Sequence, residues 1–131
     1  MDSGGAGQFR GGLGQVMEIG TRTGHAFDLS AMFDRVDHPA RGRDGGGDGA
    51  PTTLARSDAS SMKGKGRQAV PDGQTVHLAF PGGGGIGHAR DRDRAAVRRD
   101  LRLGYISDDA ARKVYGLTDA DLADGTDAHD E

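Results

Sequence analysis

The sequence of 131 residues contains no cysteine and no tryptophan, and its aromatic residues are four phenylalanines and two tyrosines. Without cysteine, the chain can form no disulfide framework and carries no thiol chemistry. No apolar run reaches the roughly 20 residues that a membrane-spanning helix requires, and the opening MDSGGAGQFR lacks the apolar centre of a signal peptide. We therefore expect a cytoplasmic protein without a membrane partner.

Net charge is also small, −3 at neutral pH, which argues against a general binder of polyanions. The positive charges are concentrated in one stretch, because six arginines and three aspartates lie between Arg90 and Arg102. Four of these arginines recur at a spacing of four, as in a phosphate-binding stripe: Arg90, Arg94, Arg98 and Arg102. Aspartates interrupt the stripe and no aromatic residues interleave with it. We therefore expect a surface or subunit-facing helix and no nucleic-acid partner.

The end of the chain is acidic, with eight acidic residues between Ser107 and Glu131. Thr118 and Asp121 resemble a capping box around one last helical turn. The composition of residues 118–131 as a whole predicts a disordered tail.

Bulky apolar residues are scarce in proportion to glycine, of which there are 24. Glycine buries almost no side-chain area and loses about 0.5–1 kcal/mol more on folding than alanine does. Because apolar burial contributes about 25 cal/mol per Å², so small a set of apolar side chains leaves a thin margin over chain entropy. We expect marginal stability for the chain alone, or apolar faces that a missing partner completes.

Apolar and polar residues alternate in two neighbouring segments, LGQVMEIGTR and AFDLSAMFDRV, which the turn TGH separates. Period-two alternation on both sides of a short turn predicts an antiparallel hairpin over about residues 13–36. Residues 37–69 show no periodicity and predict a long irregular loop, with room for a short strand near Thr53–Arg56. The turn VPDGQ then leads into a strand over about residues 75–80.

The remaining elements are helical. Apolar spacing predicts a helix over about residues 91–103, which Gly104 ends, and a second over about residues 108–115, which Ser107 caps and Gly116 ends. Strand signals come first and helix signals last, without alternation between them. This order indicates an α+β fold, in which a glycine-rich antiparallel β portion is followed by two short helices.

The run PGGGGIG formally satisfies the dinucleotide-binding pattern G-x-G-x-x-G through Gly82, Gly84 and Gly87. In such a loop, backbone amides at a helix N-terminus hold a phosphate. Four consecutive glycines satisfy many patterns by chance, however, and the predicted helix starts several residues later, with no parallel strand after it. We favour a strand-to-helix joint in which backbone packs closely, with the phosphate loop as the alternative.

The sequence offers no reactive constellation. The five histidines, His25, His38, His77, His88 and His129, occur at no metal-ligand spacing and beside no carboxylate cluster. Neither a nucleophile elbow nor a catalytic triad can be recognised. We expect no catalytic residue, and neither a metal nor a cofactor bound by this chain alone.

Four motifs occur together and in one order: DSGGAGQFRGGLG at residues 2–14, GGGDGAP at 45–51, PGGGGIG at 81–87 and VRRDLRLGYISDDAARKVYGL at 97–117. In this combination the chain resembles the C-terminal part of subunits of the hydantoinase B/5-oxoprolinase family. The resemblance covers nearly the whole chain up to residue 117.

The resemblance implies a B-type subunit that works with an A-type subunit in the ATP-dependent opening of cyclic amides such as 5-oxoproline or N-methylhydantoin. ATP and Mg²⁺ would be used by the A-type subunit. A divalent metal, found in some members, would belong to an N-terminal portion of the B-type subunit without a counterpart here. Residues 1–117 are then expected to be an incomplete C-terminal module, cut from a larger subunit and inactive alone.

Three alternatives stay open at this point. The chain could instead be a fragment of an ATP-dependent acetone or acetophenone carboxylase subunit. It could be a stand-alone module that binds a nucleotide, or a decayed remnant without activity.

Overall fold

The computed structural model describes residues 1–123, in which five strands precede three short helices. The strands are β1 (Val16–Ile19), β2 (Phe27–Met32), β3 (Thr53–Arg56), β4 (Lys65–Val70) and β5 (Val76–Ala79). The helices are α1 (Arg94–Arg102), α2 (Asp108–Lys113) and α3 (Asp119–Ala123), and a 3₁₀ turn at Ala89–Asp91 precedes α1. This order confirms the predicted α+β class. Over residues 1–123, no helix has the length and apolar character needed to cross a membrane.

The strands form two antiparallel sheets, one in the order β1-β5-β3 and the other made of β2 and β4. Val16 of β1 lies opposite Ala79 of β5, and Phe27 of β2 lies opposite Val70 of β4. The hairpin predicted over residues 13–36 is therefore wrong. Its two strands form as expected, but they belong to different sheets.

Burial explains this pairing. No residue of β1 is buried, whereas Val70, Val76 and Leu78 in β4 and β5 are at most 2% exposed and supply the apolar face that β1 and β2 need. The turn after β1 docks on the turn between β4 and β5, because the Gly73 amide donates to the Gly24 carbonyl over 2.6 Å. The two turns therefore hold each other, and neither closes a hairpin between β1 and β2.

Two strands lie inside the segment that was predicted to be a long loop. β3 forms at Thr53–Arg56, where the sequence left room for it, and it pairs with β5. β4 at Lys65–Val70 was not predicted. Of its six residues only Val70 is buried, so the segment lacks the alternation that would have identified it.

The two sheets enclose one small core, formed by Leu54, Val70, Val76 and Leu78. Phenylalanines from outside the strands close it, with the Phe33 and Phe80 rings 5.9 Å apart and tilted by 57°. This geometry is typical of a favourable aromatic pair. The predicted strand over residues 75–80 is confirmed as β5.

The helices begin and end close to the predicted residues. α1 starts at Arg94 because the Asp93 side chain accepts a hydrogen bond from the Ala96 amide and caps it. Gly104 and Gly116 adopt the positive φ angles, 69° and 71°, that a chain leaving a helix often requires. The helices enclose a second core of Val97, Ile106, Ala111, Tyr115 and Leu117.

The predicted tail is partly helical. α3 lies in its first part, where the Asp121 carboxylate accepts from the Thr118 amide over 2.7 Å and the Asp121 amide donates to the Thr118 hydroxyl over 3.3 Å, the reciprocal pair of the predicted capping box. Leu122 packs against the helical core. The rest of the predicted tail, residues 124–131, lies outside the described residues.

Candidate functional site

Three glycine-rich segments, residues 3–14, 41–50 and 81–87, lie side by side, and we call them the glycine bundle. Each segment is hydrogen-bonded to both others through backbone groups. The three representative bonds are Gly5 amide to Gly83 carbonyl (2.8 Å), Gly47 amide to Ala6 carbonyl (2.7 Å) and Gly85 amide to Gly47 carbonyl (2.9 Å). The third segment directly precedes the helical part in sequence. At its centre the bundle contains backbone and not side chains.

The backbones approach so closely that a side chain has no room. A Cβ atom placed on Gly11 would lie 2.0 Å from the Gly83 carbonyl oxygen, and one on Gly85 would lie 2.1 Å from that of Ala6. Both distances are far shorter than a carbon–oxygen contact allows. Glycine is therefore required here for close approach of chains.

This packing bears directly on the phosphate-loop alternative at Gly82, Gly84 and Gly87. The Gly82 amide donates to the Ala50 carbonyl over 3.3 Å, and the Gly87 amide donates to the Arg43 carbonyl over 3.1 Å. These N–H groups are used inside the bundle, whereas a phosphate cradle needs them pointing at the ligand. The run follows a strand and precedes the helices, and it is also the third member of the bundle.

A buried cluster of charges joins the bundle to the helices. Asp100 of α1 accepts from Arg10 Nε and Arg92 Nη2, each over 2.9 Å through Oδ2, and Oδ1 accepts from Arg10 Nη2 over 3.3 Å. The side chains of Arg10, Arg92 and Asp100 are only 13%, 15% and 6% exposed. One carboxylate thus pairs with two guanidinium groups in a place that water scarcely reaches.

Two tyrosines line this arginine–aspartate cluster. The Arg10 guanidinium lies 5.5 Å from the centre of the Tyr105 ring, within the range of a cation–π contact. Burial raises the pKa of Tyr115, and the positive charges of Arg92 and Arg10 act in the opposite direction. Arg92 also donates to the Gln8 carbonyl over 3.1 Å. The cluster therefore fixes the first bundle segment against α1.

This cluster could not be found from the sequence, because its members lie up to 90 residues apart. One signal was present. Asp100 follows the buried Val97 by three residues and so lies on the same helix face. A carboxylate on a buried face requires a partner.

The arginine stripe has a structural use. Arg94 Nη1 donates to the Tyr115 carbonyl over 2.8 Å, and Arg98 Nη1 donates to the Asp121 carbonyl over 3.3 Å. The first contact ties α1 to the chain that leaves α2, and the second ties it to α3. These two side chains are half-buried and are not part of a solvated stripe.

The histidines are scattered. His88 packs its ring against Gly45, and His77 lies 3.8 Å from Glu18 at an exposed position. Residues 1–123 contain no group of three or more His, Cys, Asp or Glu that could hold a metal ion. His129 lies outside the described residues.

The fold and this site define a class: an α+β module, organised by backbone packing, whose buried charges are paired internally. A family model, Hydantoinase B/oxoprolinase, matches residues 1–89, which is more than half of the chain. The chain belongs to the hydantoinase B/oxoprolinase family, and the resemblance seen in the sequence is confirmed.

Several curated relatives are similar over most of this chain, and two of them have informative names. The beta subunit of the caprolactamase of Pseudomonas jessenii is 32% identical over 124 residues, which is 88% of this chain and 21% of that protein. A protein named as a D-/L-hydantoinase B subunit, from Pseudomonas sp. strain NS671, is 30% identical over 122 residues, 88% of this chain and 20% of that protein. The chain therefore spans about a fifth of the length of these relatives.

Solved structures are also similar in fold, among them a caprolactamase. It is the ATP-dependent caprolactamase from Pseudomonas jessenii, whose structure matches with a TM-score of 0.59 and 27% sequence identity. The similarity covers 90% of this chain and 22% of the caprolactamase chain. The fold described above thus occurs as part of a much longer polypeptide.

Proposed function

We propose that this chain is the C-terminal module of a B-type subunit in an ATP-dependent hydrolase of cyclic amides. The observation that carries the proposal is the similarity over nine-tenths of the chain to a caprolactamase described as ATP-dependent. The relative named as a hydantoinase subunit supports the same bond type, since a lactam and a hydantoin are both cyclic amides. Substrate of this class is expected to be opened at its C–N bond.

The proposal assigns the chain a scaffolding part in that reaction. The buried arginines Arg10 and Arg92 are already paired with Asp100, and Arg94 binds a backbone carbonyl. None of these three side chains is therefore left free to act on a substrate. An A-type subunit would use ATP and Mg²⁺, and any divalent metal would be held by the remainder of the B-type subunit. We expect the isolated chain to hydrolyse no cyclic amide.

A chimera tests the proposal. This chain would replace the matched region in the beta subunit of the Pseudomonas jessenii caprolactamase, and the chimera would be assembled with the other caprolactamase subunits. ATP-dependent hydrolysis of caprolactam, hydantoin and 5-oxoproline would then be measured. We expect activity from the assembled chimera and none from this chain alone or from a beta subunit that lacks the matched region.

Either of two results would contradict the proposal. One is sustained ATP-dependent turnover by the isolated chain. The other is an assembled, folded chimera that opens no cyclic amide while the native caprolactamase is active in the same assay.

Nucleotide binding is tested separately by equilibrium dialysis of the isolated chain with ATP and with NAD at low salt. Because the Gly82 and Gly87 amides donate within the bundle, we expect no binding. Micromolar binding of either nucleotide would favour the stand-alone nucleotide module.

A further inference from the structure

The described residues expose more large hydrophobic side chains than they bury. Within residues 1–123, eight are buried: Leu54, Val70, Val76, Leu78, Val97, Ile106, Tyr115 and Leu117. Ten are exposed: Met1, Phe9, Leu13, Val16, Met17, Met32, Ile86, Leu103, Tyr105 and Val114. Isolated exposed hydrophobics are common, but adjacent ones on a rigid surface indicate a contact site.

Phe9 and Ile86 are adjacent and form part of a row across the glycine bundle. Phe9 pairs with Ile86 in an antiparallel bridge, and Ile86 pairs with Arg43 in a parallel bridge. Paired residues present their side chains on the same face. We call Phe9, Ile86 and Arg43 the bridge row. Phe9 is 66% exposed, Ile86 is 47% exposed, and Arg43 is also exposed.

The backbone beneath the bridge row is held firmly. Phe9 and Ile86 exchange two backbone hydrogen bonds, of 3.0 and 2.9 Å. The Arg43 amide donates to the Gly85 carbonyl over 2.9 Å, and the Arg43 carbonyl accepts from the Gly87 amide. A row fixed in this way loses little conformational freedom when a partner docks, which favours binding.

Arg43 provides the charge of the row. Its guanidinium makes no ion pair and no side-chain hydrogen bond with any of residues 1–123, in contrast to Arg10 and Arg92. An aromatic residue, a branched aliphatic residue and an unpaired arginine side by side form the type of patch that is enriched in protein interfaces.

We propose that the bridge row is the docking surface for the part of a B-type subunit that this chain does not match, and that the segment seated there carries an apolar side chain with a carboxylate opposite Arg43. This inference rests on the proposed function. We choose this occupant because the similar region makes up only 22% of the caprolactamase chain, so the rest of that polypeptide is covalently joined to the region that corresponds to this chain.

The test uses a defined probe: the beta subunit of the Pseudomonas jessenii caprolactamase from which the region matched by this chain has been removed. Its affinity for this chain would be measured by calorimetry. We expect binding by the wild-type chain and at least tenfold weaker binding by Phe9→Asp and by Ile86→Asp. Arg43→Glu is expected to weaken binding similarly, and more so at low salt than at high salt.

Met32→Asp is the matched control, because Met32 is 84% exposed on β2 and lies outside the bridge row. We expect it to bind like the wild type. Urea unfolding of each variant checks that the chain remains folded, which we expect because the substituted side chains are exposed. If a Phe9 variant unfolds, Arg43→Gln tests the row without placing a charge in it, with an expected weakening of a few-fold.

The outcomes separate the two proposals. Equal affinity of wild type, Phe9→Asp and Ile86→Asp overturns the docking surface, and so does failure of the wild-type chain to bind the probe while the fused chimera is active. An inactive chimera with intact, row-dependent binding contradicts the proposed function alone. If the isolated chain forms dimers that disappear on Phe9→Asp, the bridge row is an interface between two copies of this chain. If the chain binds only another caprolactamase subunit, and that binding depends on the bridge row, the row is an interface with that subunit. Either overturns the inference.

Discussion

Gly11 and Gly12 are adjacent in sequence but differ in their surroundings. A Cβ on Gly11 would lie 2.0 Å from the Gly83 carbonyl oxygen, whereas a Cβ on Gly12 has nothing within 4 Å. We expect Gly11→Ala to lower the free energy of unfolding by about 1–3 kcal/mol, since a packed backbone must move. Gly12→Ala should leave it unchanged or raise it by less than about 1 kcal/mol.

Urea unfolding followed by circular dichroism measures both glycine variants. Equal free energies of unfolding for the two variants would show that the bundle is not closely packed at Gly11.

Asp100 carries a second prediction at the residue scale. Asp100→Asn removes the only negative charge of the arginine–aspartate cluster and leaves Arg10 and Arg92 buried without a counter-ion. We expect a loss of roughly 3–5 kcal/mol in the free energy of unfolding. Asp28→Asn breaks the exposed pair with Arg67 and should cost far less, because solvent screens the charges of an exposed pair.

The comparison of Asp100→Asn with Asp28→Asn is made by chemical denaturation at neutral pH. A loss for Asp100→Asn no larger than that for Asp28→Asn would rule out a cluster that holds the bundle to the helices.

Because of Tyr115, we expect the stability of the folded chain to fall at alkaline pH. Burial raises the pKa of the Tyr115 hydroxyl in the folded chain, so above about pH 10 the unfolded chain ionises first. The contribution of the neutral Tyr115 hydroxyl to stability is therefore complete below the pKa that this group has in the unfolded chain. It is lost as the pH rises from that value through the higher pKa of the folded chain. Tyr115→Phe removes this buried hydroxyl, and should change stability at pH 7 by no more than about 1 kcal/mol.

The measurement is the urea midpoint between about pH 8 and pH 11. We expect the midpoint of the wild type to fall with pH more steeply than that of Tyr115→Phe. Tyr105→Phe is the control, and it should retain the alkaline loss. Identical slopes for the wild type and Tyr115→Phe would contradict the assignment.

At the residue scale, the sequence predicted contacts between residues close together in the chain but not contacts between residues far apart. The capping role of Ser107 and the chain reversals at Gly104 and Gly116 were predicted, because they depend on neighbours a few residues away. The pairing of Asp100 with Arg10 was not, because it joins residues 90 positions apart. The tetraglycine run suggested close approach of backbone, although the segments that it contacts could not be named from sequence.

At the scale of elements, the same limit applies to strands. β1 and β2 were predicted from alternation, but their pairing was wrong because it is decided by where Val70, Val76 and Leu78 are buried. β4 was missed because its residues other than Val70 are exposed or half-buried. A strand shows in a sequence when one face is buried, whereas its partner depends on the whole fold.

α2 is short, and we expect its stability to depend on the hydrogen bonds at its N-terminus. The Ser107 hydroxyl accepts from the Ala110 amide over 3.1 Å, and the Asp2 carboxylate accepts from the Ser107 amide over 2.8 Å. We expect Ser107→Ala to lower the free energy of unfolding by about 1 kcal/mol. Ser30→Ala, at an exposed position of β2, should change it by less than about 0.5 kcal/mol.

Hydrogen exchange complements the denaturation of the Ser107 variant. The amides of α2 should lose more protection than those of β5. Uniform loss across the chain, or none, would show that the cap does not act on α2.

At the scale of the whole molecule, residues 1–14 complete both the bundle and the arginine–aspartate cluster. Without them, the Gly47 and Gly83 amides lose their acceptors and Asp100 loses Arg10. We expect residues 15–131 to show no cooperative urea transition. A peptide of residues 1–14 added in trans should restore one, because it supplies the missing third segment.

Matched peptides sharpen this experiment. A peptide with Gly5→Ala and Gly11→Ala should fail to restore the transition, because the added Cβ atoms would lie 2.1 Å from the Gly47 oxygen and 2.0 Å from the Gly83 oxygen. A peptide with Gly12→Ala should succeed, because a Cβ there has nothing within 4 Å. Cooperative unfolding of residues 15–131 at the wild-type midpoint, without any peptide, would contradict an essential role for the first segment.

The glycine bundle also bears on how such a protein diverges over evolutionary time. Where chains touch through their carbonyls and amides, almost any mutation adds atoms that do not fit, so drift is confined to outward-facing neighbours. We expect descendants of one ancestor to keep the spacing of their glycines long after most other residues have been exchanged. The family match over residues 1–89, which ends just beyond the third segment, fits a relationship that is preserved by backbone contacts.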